Sequence, residues 1–245
     1  MMIKKWFKRW DTMPSQEQIR QQIVVESAWP EALQNYLNTP LIAQETPLHQ
    51  VSFLALDFET TGLDAKHDKI LSIGMVDLTL EGINLSSAEE ILLNHGAYIK
   101  AESARINGLT PQALEQGCSL EQGCSLEQGM MRLFERAQGK VLLAHSAIIE
   151  QGFLQAFAQQ HFQLAKLPCH FVDTLQIEKR FSYAGKSGQR SSFQLDDLRR
   201  CYHLPDYHSH SAASDALACA ELFIVQSKKL DLNKQRQLNT VLCSI

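Results

Sequence analysis

The sequence contains no apolar run long enough to cross a membrane as a helix. Residues 1–13 are basic and aromatic, without the continuous apolar stretch that a secretory signal needs. The six cysteines form no Cys-x-x-Cys pair, so a disulfide framework is not indicated. We therefore expect a cytoplasmic protein with reduced thiols and no membrane span.

A strong net charge is also missing. The 245 residues include 23 Lys and Arg against 27 Asp and Glu, which gives a formal charge of −4. This mild acidity predicts no strong non-specific binding to polyanions, but it does not exclude a polyanionic substrate. With 44% hydrophobic residues, the chain is long enough for one folded domain plus an extension.

Two acids stand at the end of a strongly apolar segment. Residues 51–56 predict a buried strand, and Asp57 and Glu59 follow it two residues apart. Side chains at i and i+2 leave the same face of an extended backbone, and neighbouring carboxylates raise each other's pKa. A divalent cation would relieve that repulsion, and oxygen ligands suit Mg²⁺ or Mn²⁺. An Asp-x-Glu pair alone is more often a solvated strand end, so the hypothesis depends on finding further ligands.

Two later segments offer such ligands. Glu150 and Asp215 each lie on the apolar stripe of a predicted helix, where an acid needs a partner. Together with Asp57 and Glu59 they make a set of four carboxylates. His210 lies five residues before Asp215 and supplies an imidazole suited to a general base near pH 7.

Three motifs of this sequence resemble those of a known family. They read D-F-E-T-T-G-L at 57–63, A-H-S-A-I-I-E-Q-G-F-L at 144–154 and H-x4-D-A at 210–216. Their order and spacing are similar to the exonuclease motifs of the DEDDh superfamily of 3′-to-5′ exonucleases, which includes the proofreading subunit of bacterial replicative polymerases. The resemblance covers roughly residues 50–226. It implies an α/β fold of the RNase H-like type, with a mixed, mainly five-stranded sheet flanked by helices.

The resemblance also implies roles for individual residues. The four acids would bind two Mg²⁺ or Mn²⁺ ions, and His210 would be the general base. This chain has Glu150 where the family usually has Asp, and Ser146 where Asn is frequent. The predicted substrate contacts, drawn from the motifs and from a basic loop described below, are Thr60, Thr61, Leu63, His145, Lys186 and Arg190.

Two features before the third motif stay open. The basic Gly/Ser-rich loop that holds Lys186 and Arg190 is either a solvated loop or an element that contacts phosphates. The pattern Cys201-x-His203 followed by His208-x-His210 invites a zinc hypothesis, but its spacing is not that of common zinc sites. His208 is the rival of His210 for the role of base, although His210 has the spacing to Asp215 that the family motif shows.

The motif region predicts an exonuclease domain over 49–228, after a helical N-terminal extension over 1–48 and before a short tail over 229–245. Residues 15–38 show helical periodicity that breaks at Pro30. For residues 1–13 we favour docking on the domain over contact with nucleic acid or a membrane surface. Strands are predicted at 51–56, 70–78, 91–99, 141–144 and 171–173.

Residues 115–129 contain the tandem repeat EQGCSL-EQGCSL-EQG. The repeat is too short and has too few copies for a solenoid. We interpret it as a small duplication in a surface connection, since a loop absorbs added length at about 0.6 kcal/mol per doubling.

The predicted function is a 3′-to-5′ exonuclease that hydrolyses the terminal phosphodiester of single-stranded DNA and releases 5′-mononucleotides. A short-RNA or tRNA 3′ exonuclease would use the same residues. A polymerase-bound proofreader is less favoured, because proofreading subunits typically carry their polymerase-binding tail after the exonuclease domain and here the extra residues precede it. An inactive nucleic-acid-binding module is the least favoured interpretation, because all four acids and His210 are present.

Overall fold

The computed structural model describes residues 14–94, 124–188, 192–207, 211–232 and 236–243. Within these residues, five strands form one sheet in the order β3-β2-β1-β4-β5. The strands are β1 (Phe53–Thr60), β2 (Ile70–Thr79), β3 (Gly82–Leu92), β4 (Val141–Ala144) and β5 (Phe171–Asp173). β2 runs antiparallel to both β1 and β3, whereas β4 runs parallel to both β1 and β5. The predicted mixed five-stranded sheet is confirmed.

Helices flank the sheet, as predicted. They are α1 (Gln16–Gln22), α2 (Glu31–Asn38), α3 (Leu126–Ala137), α4 (Ile148–Phe162), α5 (Thr174–Phe181), α6 (Tyr183–Lys186), α7 (Leu195–Cys201) and α8 (Ala212–Lys229), with 3₁₀ turns at Leu48–Gln50 and Leu238–Thr240. The Asp173 side chain accepts from the Leu175 N–H and caps α5, and Ser211 caps α8 in the same way through Ser214. In the described part of the chain, no helix has the length and apolar character that a membrane crossing requires.

Among the five described strands, the third is the one that the sequence analysis placed wrongly. A strand over 91–99 is wrong in position, because β3 spans Gly82–Leu92 and pairs with β2 as a hairpin. β3 lies at the edge of the sheet, and most of its side chains are exposed. Its polar sequence therefore lacks the apolar alternation from which strands are predicted.

β1 separates two apolar cores. Leu54, Leu56 and Phe58 pack on the face covered by α2, α3 and α4. Phe53 and Ala55 pack on the opposite face, which α8 covers, and the rings of Phe53 and Phe223 lie 5.0 Å apart in an edge-to-face arrangement. Since side chains alternate along a strand, Asp57 and Glu59 continue the α8 face at the end of β1.

The described part of the N-terminal extension packs on the sheet domain. Leu33, Tyr36 and Leu37 of α2 are buried in the same core as α3 and α4, and the Tyr36 hydroxyl donates to the Pro168 carbonyl at 2.9 Å. α1 and α2 lie within the range 15–38 predicted as helical, but residues 23–30 between them are not helical, so the break begins before Pro30. Residues 1–13 lie outside the described residues, so their docking stays a prediction.

The last part of the repeat is helical. Ser125 forms a capping box with Gln128 at the start of α3, and Gly129 is buried there. The interpretation of the whole repeat as a surface connection is therefore wrong for 125–129. Residues 95–123, which hold the rest of the repeat, lie outside the described residues.

Deleting residues 121–126 should leave activity and melting temperature nearly unchanged. The deletion joins Leu120 directly to Glu127, which regenerates the sequence Cys-Ser-Leu before the helix and with it the capping serine. Thermal unfolding and nuclease assays check this. As a control, Ser125→Ala in the full chain removes the cap alone and should cost about 1 kcal/mol of stability.

Candidate active site

Three acids meet at the C-terminal end of β1. Asp57 and Glu59 belong to β1 itself, and Asp215 lies in the first turn of α8, which crosses the same face of the sheet. One carboxylate oxygen of each acid lies within 4.8 Å of the others. Across the described ranges, these are the one group of three or more Asp, Glu, His or Cys side chains with metal-ligand spacing.

Glu150 approaches the same strand end from the other face of the sheet. It lies in the first turn of α4, only 3% of its surface is exposed, and its Oε2 atom is buried without a hydrogen-bond partner. Burial raises the pKa of Glu150 to about 8, and the charge of Asp173 adds to this increase. Hydrogen bonds from backbone N–H groups, including that of Phe58, lower the pKa of Glu150 and offset part of this increase.

The pKa values of the β1 acids are raised as well. For Asp57 the main cause is burial, followed by the charges of Glu150 and Asp215, and the pKa lies well above its ordinary value. Burial, together with the charge of Asp215, raises the pKa of Glu59 to about 7. The four acids therefore repel one another unless protons or cations neutralise them.

This donor set fits divalent metal ions. All four candidate ligands are carboxylates, which suit Mg²⁺ and Mn²⁺, and the orphaned Oε2 of Glu150 is a buried oxygen in need of a cation or a proton. Asp57, Glu59 and Asp215 would hold an ion together, whereas Glu150 lies outside that group of three.

The metal-free protein should lose stability as the pH rises from about 5 to 8. The folded-state pKa values of Glu59 (about 7) and Glu150 (about 8) exceed the ordinary value of 4.5, so the folded state binds more protons than the unfolded state in that window. Unfolding free energy then falls with rising pH, by up to about 6 kcal/mol if both pKa shifts are fully expressed. Urea unfolding at both pH values in chelator measures this loss, and Mn²⁺ at pH 8 should reverse it. A flat profile in chelator would contradict the predicted repulsion.

Glu90 on β3 is a fifth acid of the site that the sequence did not reveal. It pairs across the sheet with Gly74, which in turn pairs with Asp57, so all three positions share one face. A Cβ on Gly74 would lie 1.9 Å from the carbonyl carbon of Ala212, so only glycine lets the start of α8 rest on the sheet here. The Ala212 N–H donates to Glu90 Oε1 at 3.1 Å. Glu90 thereby holds the first residue of the helix that carries Asp215.

Glu90 was missed because β3 is a polar edge strand without a motif. Its position in the site follows only from the register in which β3 pairs with β2.

The second motif forms a tight turn between β4 and α4. Ser146 has a φ of 67°, and the Asp173 carboxylate accepts from the N–H groups of both Ser146 and Ala147. His145 lies behind this turn, with Nδ1 2.7 Å from the Thr174 hydroxyl and Nε2 2.8 Å from the Phe193 carbonyl. Both ring nitrogens are thus engaged within the protein. The contact of His145 with substrate, predicted from the sequence, has no free ring nitrogen to use, and the geometry indicates a structural role for this residue.

The predicted substrate contacts at and after the end of β1 differ in how far their side chains are engaged within the protein. The Thr61 hydroxyl is buried, donates to Asp68 and accepts from the Lys69 N–H, so it stabilises the loop. Thr60 donates to the Gly62 carbonyl at 2.7 Å. Leu63, by contrast, is 76% exposed, which leaves an apolar side chain free to contact a ligand.

The remaining predicted residues are only partly covered by the structure. Lys186 ends the short helix α6 and is exposed. Arg190, His208 and His210 lie outside the described residues, so their roles stay predictions.

Comparison with known proteins agrees with this geometry. A family model described as "Exonuclease" matches residues 54–223. The epsilon subunit of DNA polymerase III from Treponema pallidum is 30% identical over 177 residues, which cover 71% of this chain and 75% of that protein. A PolC-type DNA polymerase III from Thermotoga maritima is 25% identical over 201 residues, which cover 80% of this chain but only 14% of that protein. The chain thus spans about a seventh of the length of such relatives.

Solved structures share the fold. E. coli exonuclease I in complex with a dT13 oligonucleotide superimposes with a TM-score of 0.58 at 15% identity, over 74% of this chain and 43% of that one. The nuclease domain of 3′hExo, a DEDDh family member bound to rAMP, gives a TM-score of 0.57 at 13% identity, over 73% of this chain and 92% of that one. The match of the family model to most of the chain, together with the epsilon relative, shows that this chain belongs to the exonuclease family, a family of hydrolytic nucleases, and that its resemblance to the DEDDh type of 3′-to-5′ exonuclease is confirmed.

Proposed function

We propose that this protein is a metal-dependent 3′-to-5′ exonuclease that acts on single-stranded DNA and releases 5′-mononucleotides. The observation that carries the proposal is the convergence of Asp57, Glu59 and Asp215 within 4.8 Å, with Glu150 close enough to raise the pKa of Asp57. Family membership supports the nuclease chemistry. The DNA complex of exonuclease I, a protein of similar fold, supports DNA as the first substrate.

The acids would hold two ions around the terminal phosphate. Asp57 is the central ligand in this proposal, because it lies beside Glu59 and Asp215 on one side and is influenced by Glu150 on the other. Divalent ions, when bound, lower the pKa of a water molecule and stabilise the charge that develops on the leaving oxygen. His210, with a neutral imidazole, accepts the proton of the attacking water.

The position of Leu63 supports a preference for single strands. The acids are recessed at the strand end, whereas Leu63 projects from the adjacent loop with 76% of its surface exposed. Such a side chain can pack against the last base once that base is free of a partner strand. In a blunt duplex the terminal pair must first open, which costs energy before the phosphate reaches the acids.

Incubation with 5′-labelled oligonucleotides tests the proposal. We expect a ladder that shortens from the 3′ end in Mg²⁺ or Mn²⁺, with single strands degraded faster than blunt duplexes and DNA faster than RNA. Equal rates on single strands and duplexes would contradict the role of Leu63. Faster cleavage of RNA would favour the second candidate, a short-RNA 3′ exonuclease, which the rAMP complex of the 3′hExo nuclease domain supports.

A polymerase is the protein partner that the comparisons favour. The Treponema pallidum relative is a polymerase III subunit, and the Thermotoga maritima relative is a polymerase. Affinity purification of the tagged chain from its own cells, followed by mass spectrometry, should recover a replicative polymerase if the protein is a proofreader. If the tagged chain is recovered without any polymerase subunit, the result supports an exonuclease that acts without a polymerase.

A further inference from the structure

A groove lies beside the second motif, at the edge of the sheet where the acids meet. It has a volume of about 610 Å³ and is enclosed by the start of α4, the helix α5 and the C-terminal segment. Because β1, β4 and β5 are adjacent and parallel, their C-terminal ends share this edge, and β5 lies about 10 Å from β1. We call this feature the α4–α5 groove, and its lining includes Ile148, Gln151, Asp173, Gln176 and Arg180.

Ile148 gives the groove an exposed apolar wall close to the acids. It is the first residue of α4, two residues before Glu150, and 77% of its surface is exposed. Leu63, in the loop after β1, has nearly the same exposure of 76%. Two exposed aliphatic side chains therefore stand at this edge of the sheet, one after β1 and one after β4. Apolar surface of this kind can pack against the face of a nucleobase.

Arg180 supplies positive charge on another wall of the groove. It lies in the last turn of α5 and is exposed. Within the part of the chain that the structure describes, its guanidinium makes one hydrogen bond, from Nη1 to the Thr240 carbonyl at 3.1 Å, so most of its five N–H donors remain for a ligand. The guanidinium of Arg180 lies 5.2 Å from the centroid of the Phe181 ring and that of Arg236 lies 5.4 Å from it, so two cations stand close together.

Asp173, the acid in this lining, does not cancel the positive charge of the groove. Its carboxylate accepts from the N–H groups of Ser146, Ala147 and Leu175 at 2.9, 3.2 and 2.9 Å. These three donors stabilise its charge from the side of the backbone. Arg180 is therefore the charged group that the groove offers to a ligand, and a planar guanidinium suits a phosphate.

We infer that the α4–α5 groove binds the single strand upstream of its 3′ end, with Ile148 against a base and Arg180 on a phosphate. The inference rests on the proposed function, since it takes the acids to hold the terminal phosphate. A strand whose last phosphate lies at the end of β1 has to leave the acids along the surface, and this groove continues the same edge with charge opposite to that of the strand. Cations that follow the backbone, combined with surfaces that pack on bases, are how proteins hold single strands without reading their sequence.

Two substrates of different length test the inference. A dT octanucleotide extends into the groove, whereas the p-nitrophenyl ester of thymidine 5′-monophosphate has a single nucleotide and does not reach it. Arg180→Gln should raise the KM for the octanucleotide about 10-fold with kcat nearly unchanged, because the lost contact is the same in the ground state and the transition state. Ile148→Ala should raise that KM about 5-fold. Both side chains are exposed, so the fold should tolerate these changes, and neither should alter kcat or KM for the ester.

Salt dependence separates the phosphate contact from the base contact. Each phosphate contact to a single strand contributes about 0.7 to the slope of log(kcat/KM) for the octanucleotide against log salt concentration. Arg180→Gln should therefore make this slope less steep by about 0.7. Ile148→Ala should leave the slope unchanged, because it removes no charge.

Two matched controls remove similar side chains elsewhere. Lys228→Gln removes an exposed cation from the last turn of α8, about 20 Å along the helix from Asp215. Leu85→Ala shortens a leucine that is 64% exposed, at the other end of β3 from Glu90. Both variants should keep the wild-type KM for the octanucleotide and the wild-type salt slope.

The outcomes keep the inference and the proposed function apart. If the wild-type protein degrades neither substrate in Mn²⁺, the proposed function fails, and the inference fails with it. If the wild-type protein is active but Arg180→Gln and Ile148→Ala leave the KM for the octanucleotide unchanged, the inference alone is overturned. An equal increase in KM for the ester, or for the octanucleotide in Lys228→Gln, also overturns it.

Discussion

Glu150→Gln is expected to lose nearly all nuclease activity and to stabilise the metal-free protein at pH 8. The substitution keeps the size of the side chain but removes the negative charge that raises the pKa of Asp57. Without metal, that charge is buried, and its Oε2 atom has no hydrogen-bond partner. Removing an uncompensated buried charge should raise the free energy of unfolding by about 1–3 kcal/mol, whereas the loss of a metal ligand should abolish turnover.

The matched control is Glu178→Gln. Glu178 is also fully buried, and its Oε2 atom accepts hydrogen bonds from the Tyr202 hydroxyl and the Gln226 amide, so the same substitution there neutralises a buried glutamate outside the acid cluster. Its position in α5, away from the acids of β1, predicts retained activity.

Glu150→Asp gives a graded version of the same test. Aspartate restores the commoner residue of the family but is shorter by one methylene, so it should keep measurable activity. Mn²⁺ should rescue this variant more than Mg²⁺, since Mg²⁺ demands near-ideal octahedral geometry. If Glu150→Gln stays fully active, Glu150 serves only the start of α4, an effect of well under 2 kcal/mol, and does not belong to the active site.

His210→Ala should lower turnover by roughly 10²–10⁴, the usual contribution of a general base. Metal binding should survive, because the acids that bind the ions are separate from the imidazole. The rise in melting temperature on adding Mn²⁺ checks this separation. The rate of the wild-type protein should also fall as the pH drops through the pKa of the base, and that limb of the pH profile should disappear in the variant.

His208→Ala is the control that decides the alignment of the third motif. It should be nearly as active as wild type, because His210 has the four-residue gap to Asp215 that the family motif shows. A larger loss in His208→Ala than in His210→Ala would move the base to His208.

The sequence could predict those parts of the site whose residues lie close together along the chain. Asp57 and Glu59 share a face because β1 is extended, and Asp215 lies in the first turn of a helix that its own motif begins. These relations depend on spacings of a few residues, which periodicity and motifs describe directly. The apolar runs that became β1, β2, β4 and β5 could be recognised for the same reason.

The sequence could not predict the parts that depend on register and tertiary contacts. Glu90 enters the site only because β3 pairs with β2 in one particular register, opposite Gly74. His145 carries a family motif, but its engagement by Thr174 and Phe193 depends on segments 29 and 48 residues away. The burial of Arg199 in α7, which is only 1% exposed, was equally unpredictable, because basic residues on short helices usually face solvent.

We expect the acids at the end of β1 to form a metal-dependent site that degrades DNA from a 3′ end. The most direct measurement compares a linear DNA strand with its circularised form, each in Mn²⁺ and in EDTA, with Glu150→Gln beside the wild-type protein. Only the wild-type protein with Mn²⁺ should degrade the linear strand, the products should be 5′-mononucleotides, and the circle should stay intact. Cleavage of the circle, or degradation that persists in EDTA, would contradict it.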